Sequence, residues 1–352
     1  MTIFTTTLTT IFTAALISAV ATRVVMGYAQ KRLVDQVNQR SSHRIATPRG
    51  GGLGLVIGLL AAWLPMVWYL GASPLVVPLT IAVVGMSALG WWDDHGHVSA
   101  AIRLPLQLTL VGVVCITLGV PDRLALVSWY SLSAVAWWYF PVAILGGGWM
   151  VNLTNFMDGI DGIAATQGVV GCVTLALLLP TEAITVANAA DAAAAMELRL
   201  FLFACAAACL GFLVWNRPPA KIFMGDVGST ALGMVFVSGI LAGIHYGVAL
   251  DVLLLPLAPF IADATCTLVR RAWHRERLSQ AHRSHLYQRL AKRWSVHLPA
   301  TSLYAALAVL GAAFSLATHH GWMPSMLGLT LWLAVWVGLV MYGRRVCPVN
   351  AE

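Results

Sequence analysis

Hydrophobic residues come along this chain in long unbroken runs rather than in alternation. Intervals free of Asp, Glu, Lys and Arg cover residues 1–22, 50–92, 104–121, 124–157, 162–181, 200–216, 227–250 and 294–343. A helix crossing the hydrocarbon core needs about 20 apolar residues, because the core is about 30 Å thick and each residue rises 1.5 Å. Interval 50–92 holds two such helices, with a break at Gly71-Ala72-Ser73-Pro74, and 294–343 divides at His319-His320-Gly321-Trp322. One more span, near 252–270, contains a single acid, Asp263. The pattern predicts an all-α polytopic membrane protein of about eleven transmembrane helices. It excludes a closed β-barrel, whose strands alternate. The first run has no basic segment ahead of it and reads as a retained helix, not a signal peptide. The Ala-rich stretch Ala187–Ala195 reads as a linker or short surface helix.

Lys and Arg set the expected orientation. With the N-terminus periplasmic and the C-terminus cytoplasmic, all of the 21 basic residues except Arg123 and Arg199 fall on the inner side. The opposite placement inverts that ratio. Composition agrees with a membrane location: 10% of the 352 residues are charged, against about 25% in an ordinary soluble protein. The net charge of +7 therefore belongs to the inner loops and does not indicate nucleic-acid binding. The six cysteines show neither metal-ligand spacing nor a disulfide framework. Residues 1–352 read as one transmembrane domain, with chemistry confined to inner loops at about 23–50, 93–103, 151–161, 216–229 and 271–297.

Once oriented, the acids sort themselves. Asp93, Asp94, Asp158, Asp161 and Asp226 all sit at inner ends of helices, and five costly acids on one side point to a shared pocket. Helix-end capping is the competing reading at any one of them. Adjacent Asp93 and Asp94 repel unless a cation neutralises them, and Mg²⁺ is the natural partner. Zinc on His95 and His97 fits no standard structural site. Arg103, one turn before Gln107, is placed to hold a phosphate at the membrane surface. Asn152, Asn155, Asp158 and Asp161 recur every three residues. Each such step turns a helix face back by about 60°, so the outer members meet only if the segment unwinds at its glycines. This oxygen-rich, sulfur-free set suits a hard cation or sugar and amide groups.

Lys221-Ile-Phe-Met-Gly225-Asp226-Val-Gly228-Ser229 opens a membrane helix whose first N–H groups are expected to face an anion. Asp226 would tolerate that anion through a bridging metal, which points to a diphosphate. Pro48-Arg49-Gly50-Gly51-Gly52 reads either as a second anion-binding turn or as a flexible helix entry. Basic segment 270–297 reads mainly as a surface attracted to anionic lipid, at about 1 kcal/mol per residue. Within it, His282-Arg283-Ser284-His285 offers imidazole and guanidinium donors to phosphate. Asp263 either completes the pocket or pairs with an Arg.

These motifs, in this order, resemble the polyprenyl-phosphate N-acetylhexosamine-1-phosphate transferase family. The resemblance runs from Arg40 to Gln288 and rests on Ser42-His43 through Pro-Arg-Gly-Gly-Gly, Asp93-Asp94 with Arg103-Leu-x-x-Gln107, Asn152-x-x-Asn155-x-x-Asp158-Gly, Phe223-Met-Gly-Asp226-x-Gly-Ser229 and the histidine loop. It implies a fold of ten or eleven helices in the bacterial inner membrane with the active site facing the cytoplasm. The implied reaction moves a sugar 1-phosphate from a UDP-N-acetyl sugar to undecaprenyl phosphate and releases UMP. Carried over by position, Asp93, Asp94 and Asp226 become the catalytic carboxylates. Asp226, Asp94 and Asp158 become ligands of Mg²⁺, with Mn²⁺ as a substitute. Arg49, Arg103, Asn152, Asn155, Asp158, Asp161, Lys221, Gly225, Ser229, His282, Arg283 and His285 become substrate-binding groups.

His97 stands where the peptidoglycan branch tends to have Lys, and the histidine loop lacks three consecutive histidines. Both departures resemble the WbpL-like branch that initiates O-antigen assembly, with a phospho-muramoyl-pentapeptide transferase as the alternative. A secondary transporter is the alternative of another class, but it wants polar groups near the midplane. Membrane lipids and a second copy of the chain are the remaining expected partners.

Overall fold

The computed structural model of the protein describes residues 3–35, 46–96, 98–133, 135–180, 189–276 and 282–347. Ser42, His43, His97 and Arg40 therefore lie outside the described residues. Helices α1 (Ile3–Arg32), α2 (Gly52–Leu70), α3 (Val76–Gly96) and α4 (Ala100–Leu118) open the bundle. α5 (Tyr139–Phe156), α6 (Ile163–Leu178), α7 (Ala189–Asn216) and α8 (Asp226–His245) follow. The next crossing is broken into α9 (Leu250–Leu254), a 3₁₀ turn (Leu255–Leu257) and α10 (Ala258–Trp273). A short α11 (Leu286–Trp294) precedes α12 (Leu298–His319) and α13 (Ser325–Val346). The breaks at Gly71-Ala72-Ser73-Pro74 and near His320 fall where the apolar pattern puts them.

Among the described residues, nine segments are long and apolar enough to cross a membrane: α1 to α4, α7, α8, the α9–α10 pair, α12 and α13. The expected eleven also counts α5 and α6. α6 is apolar but only 16 residues long, and α5 carries Gly146–Gly148, Asn152 and Asn155 among its 18. Both pack within the bundle.

Two expectations are corrected. Interval 124–157 is not one span: its start forms an antiparallel hairpin, β3 (Leu124–Val127) with β4 (Tyr130–Leu132). Tightly turned Ser128-Trp129 between short apolar runs favours the hairpin over a helix. A second small hairpin pairs β1 (Val34–Asp35) with β2 (Thr47–Pro48), so the all-α description holds for the bundle and not for its connections. The Ala-rich stretch, from Ala189 onward, is no linker but the first turns of α7, as the high helix propensity of Ala allows.

α8 is the axis of the fold, buried from Val227 to Ile244. An apolar helix with no polar face must be enclosed, and α8 is enclosed closely because small residues let neighbouring backbones approach. α1 and α2 meet in the same way along Gly54-x-x-x-Gly58, where a Cβ on Gly54 would fall on the backbone of Thr22. The broken crossing is held by side chains that take up its freed carbonyls. The Gln167 amide donates to Pro256 O at 2.8 Å, and the Ser315 hydroxyl donates to Val252 O at 2.7 Å.

Overpacking a close helix crossing costs about 1–3 kcal/mol. Gly54→Ala should therefore lower the Tm of the detergent-solubilised protein by several degrees. Gly27→Ala in α1, with nothing within 4 Å of the new methyl, should leave it unchanged or slightly raised. Equal melting of the two variants would contradict the crossing.

Candidate active site

The last turn of α3 and the first turn of α8 bring the acids together. Gly90 makes this possible, since a Cβ there would fall on the carbonyl of Asp226. Asp94, buried at the end of α3, accepts the Val227 N–H at 3.1 Å and that of Asp226. It thus caps α8 from a neighbouring helix. Gly225 takes a positive φ of 75°, which glycine tolerates without cost.

The Pro48–Gly52 segment lies alongside Phe223–Met224. Phe223 N–H donates to Pro48 O at 2.8 Å, Gly51 N–H to Phe223 O at 2.9 Å and Gly52 N–H to Met224 O at 2.8 Å. This pairing delivers Arg49 to Asp94, with Nη2 donating to the Asp94 carbonyl at 2.6 Å and Nε 3.6 Å from Oδ1. The glycine triplet is accordingly a packing element and not an anion-binding turn, because the N–H groups of Gly51 and Gly52 are already used. The start of α8 is not an open anion site either. Val227 N–H goes to Asp94, and those of Gly228 and Ser229 go to Gly225 O.

Asp93 is buried and accepts Val98 N–H at 2.6 Å through Oδ1, while Arg103 Nη1 donates to Oδ2. The same guanidinium nitrogen is 3.6 Å from Asp226 Oδ2, and the Asp93 and Asp226 carboxyls lie within hydrogen-bonding reach of each other. From the end of α5, Asn155 donates to Asp226 Oδ1 at 2.8 Å and to Ser229 Oγ at 2.9 Å. Five segments thus converge: β2 with the α2 entry, α3, α4, α5 and α8. The Asp226 side chain is 31% exposed and that of Arg49 is 42% exposed, whereas those of Asp93 and Asp94 are at 5% and 2%. Asp226 and Arg49 therefore face outward, with Asp93 and Asp94 behind them.

The chain unwinds after α5, as Gly159 and Gly162 require. Asp158, half-buried in that turn, has its carboxyl pushed well above the ordinary carboxylate range. Burial is the largest cause, followed by the negative charges of Asp226, Asp94 and Asp161. Asp161 does different work: Oδ2 accepts Ala220 N–H at 3.0 Å, and Oδ1 is 3.0 Å from His297 Nδ1. Asn152 donates to Gln107 Oε1 at 2.9 Å and links α5 to α4 one turn below Asn155. Lys221 is exposed, and its ammonium sits 5.3 Å from the centre of the Trp215 ring. His285 lies against Asp263, with the His282 ring beside that of His285, as a second group. Asp263 accepts from backbone N–H groups, Tyr304 and Thr267 and lies beside His285, while Arg289 is near enough to feel its charge.

The donors in the first group are all oxygen atoms, a chemistry suited to Mg²⁺ or Mn²⁺. Among the described residues, no three Asp, Glu, His or Cys side chains converge on an ion position. Arg103 lies between Asp93 and Asp226, where it supplies the neutralising charge.

Comparison with known proteins agrees with this constellation. The glycosyl transferase family 4 pattern matches residues 76–244, which contain every acid of the cluster. A probable undecaprenyl-phosphate N-acetylglucosaminyl 1-phosphate transferase of Bacillus subtilis is 30% identical over 264 residues, 73% of this chain and 69% of that protein. The chain belongs to the polyprenyl-phosphate sugar-1-phosphate transferase family. The phospho-N-acetylmuramoyl-pentapeptide-transferase of Thermosynechococcus vestitus is also similar to this transferase. It is 31% identical over 220 residues, 59% of this chain and 55% of that protein. The corresponding enzyme of a Synechococcus strain is 31% identical over 244 residues, 66% and 65% of the two chains. An enzyme family of this kind displaces the transporter reading.

Sequence reasoning missed Asn216, whose buried amide accepts Gly162 N–H at 3.0 Å and donates to Ile222 O at 2.9 Å. A lone Asn ending an apolar helix was the available signal. Tyr287 and Tyr304 were missed too, for want of any signal beyond burial.

Two outcomes are expected of the transferase. Asp94→Asn leaves one acceptor oxygen and no charge at a buried position that faces two α8 N–H groups and Arg49, a change that costs about 1–3 kcal/mol. It should lower the Tm more than Asp226→Asn, whose side chain is part-exposed; the reverse order in a thermal melt would contradict the capping role. The second concerns pH. A carboxyl with a raised folded pKa stabilises the fold fully below its unfolded value of about 4, and that contribution is lost as pH rises through the folded value. The Tm of the metal-free transferase should therefore fall with rising pH above about 4 more steeply than that of Asp158→Asn, and added Mg²⁺ should recover it. Parallel profiles for the two proteins would rule this out.

Proposed function

We propose that the transferase moves an N-acetylhexosamine 1-phosphate unit from a UDP-sugar to undecaprenyl phosphate, releasing UMP. The observation that carries this reading is the convergence of Asp93, Asp94 and Asp226 with Arg49, Arg103 and Asn155 at one end of the bundle. A membrane-anchored phosphate and a soluble diphosphate are both anionic, and the outward-facing guanidinium of Arg49, with that of Arg103 beside Asp226, is suited to hold them. The Lys and Arg distribution favours a cytoplasmic face of the bacterial inner membrane for this end.

In this reading an oxygen of the acceptor phosphate attacks the β-phosphorus of the donor. The bond from that phosphorus to the oxygen bridging the two phosphates breaks, and UMP leaves with it. Asp93, whose carboxyl reaches that of part-exposed Asp226, takes the remaining acceptor proton; attack by a carboxylate, through an aspartyl-phosphate, is the two-step alternative. Asp226, whose side chain is part-exposed, and Asp158 would hold Mg²⁺, while the oxygens of Asp94 are spent on α8 and Arg49. Bound there, the ion would offset the diphosphate charge and ease departure of UMP. Arg49 and Arg103 orient the phosphates, Asn155 and Ser229 hold Asp226 in place, and His282 and Arg283 close on the donor.

O-antigen initiation, with N-acetylglucosamine, N-acetylfucosamine or N-acetylquinovosamine as the sugar, is the assignment favoured by His97 and by the histidine loop. The cyanobacterial relatives give the muramoyl-pentapeptide donor as the second reading. Purified protein with undecaprenyl phosphate, Mg²⁺ and a panel of UDP-N-acetyl sugars separates these. UMP release is expected to require lipid and metal, and to fall about 100-fold or more in Asp226→Asn. The preferred donor identifies the sugar. No release with any donor, from folded protein, would remove the reading. Sugar-phosphate-labelled enzyme formed without lipid would replace direct attack by the two-step route.

A further inference from the structure

An acid inside a membrane helix is costly unless donors surround it. Asp263 in α10, only 1% exposed, is surrounded by five. Leu286 N–H reaches Oδ1 at 2.9 Å and Tyr287 N–H reaches Oδ2 at 3.0 Å. The hydroxyls of Tyr304 and Thr267 donate at 2.5 and 3.1 Å, and His285 Nδ1 lies 3.5 Å away. Leu286 and Tyr287 are the first two residues of α11, and α11 has no side-chain cap of its own. Its orphan N–H groups are met from another helix by a negative charge, the sign that a helix N-terminus favours.

The first turn of α11 is in turn fastened to the active-site turn. Tyr287 Oη donates to Phe156 O at 2.9 Å, and Gly159 N–H and the Gln288 side chain close on the same oxygen. Position 159 must be glycine, since a Cβ would fall on Tyr287 Oη. Phe156 follows Asn155, which holds Asp226, and precedes Asp158 by two residues. On the other side, the rings of His282 and His285 are 4.9 Å apart, and those of His285 and Tyr287 are stacked at 5.8 Å.

We propose that Asp263 is a positioning residue of the transferase: it caps α11 from within α10 and so holds the His282–His285 segment, through Tyr287, against the Asn155–Asp158 turn. Its kinetic consequence rests on the transfer reading above, with the histidine segment on the donor. Removing the cap therefore weakens use of the donor and leaves use of the lipid acceptor intact.

The test compares full-length wild type with Asp263→Asn, which keeps volume but leaves one acceptor oxygen, and with Tyr287→Phe, which keeps the cap and loses only the hydroxyl. Asp251→Asn is the control, an acid hydrogen-bonded to Ser325 instead of to α11. Hydrogen exchange in detergent should be at least ten times faster over 282–290 in Asp263→Asn, and within twofold of wild type over 227–244. Tyr287→Phe should loosen 156–160 instead, and Asp251→Asn neither segment. KM for the UDP-sugar should rise at least fivefold in both Asp263→Asn and Tyr287→Phe, with KM for undecaprenyl phosphate within twofold. Unchanged exchange over 282–290, acceleration spread over the whole chain, or an equal rise in both KM values would overturn the proposal. Should Asp263→Asn fail to fold, Tyr287→Phe decides by faster exchange over 156–160 and by the same two KM values. Absence of UMP release from wild type would defeat the transfer reading, and exchange alone would then decide whether Asp263 holds α11.

Discussion

Carboxylates buried in a membrane protein need donors, and the cheapest donors at the ends of a helical bundle are the unpaired N–H groups of neighbouring helices. One end of this protein is assembled from that requirement. Asp94 takes the first N–H groups of α8, Asp93 takes that of Val98, Asp161 takes that of Ala220 and Asp263 takes two from α11. Each contact satisfies an acid and a backbone group together, and all but the local Asp93–Val98 contact join segments well separated in the chain. The acids therefore act as fasteners first, and their chemistry depends on where the fastening leaves them. Asp226, held by a side-chain amide and a guanidinium, keeps an outward face; Asp93 and Asp94 do not.

Close helix approach supplies the second condition. Gly90 against Asp226, Gly52 against Gly228 and Gly54 against Thr22 each place backbone on backbone. In a lipid environment water does not drive helices together, so such packing carries much of the association. The same contacts determine the geometry of the cluster, because the spacing of α3 and α8 is the spacing of their carboxylates. Stability and chemistry are thus tied to the same few glycines.

The histidine segment is joined to this cluster by α11, a short basic helix whose apolar side is buried through Leu286, Tyr287 and Leu290. Its amphipathic character suits a membrane surface, yet its position is set by contacts at its first turn. The phenol of Tyr287 is suited to such a fixed contact. Burial, reinforced by the charges of Asp263 and Asp158, holds it well above its ordinary pKa, so it stays a donor to Phe156.

Much of the fold was legible along the chain because membrane insertion is a local property. About 20 apolar residues suffice to specify a crossing, and breaks such as Gly71-Ala72-Ser73-Pro74 need no tertiary knowledge. The family was legible for a related reason: Asp93-Asp94, Asn155-x-x-Asp158 and Gly225-Asp226 are short motifs. What each polar group binds was not legible. Partners such as Asp94 and Val227, or Asp263 and Leu286, are separated by 133 and 23 residues, and no local pattern records them. For that reason the glycine triplet and the start of α8 looked like anion sites until their N–H groups proved to be taken. Hydropathy and short motifs were enough for a polytopic transferase with its acids at helix ends. Which acids are spent on holding helices and which still face outward emerged from the folded chain alone, because hydrogen-bond partners are a matter of proximity in space.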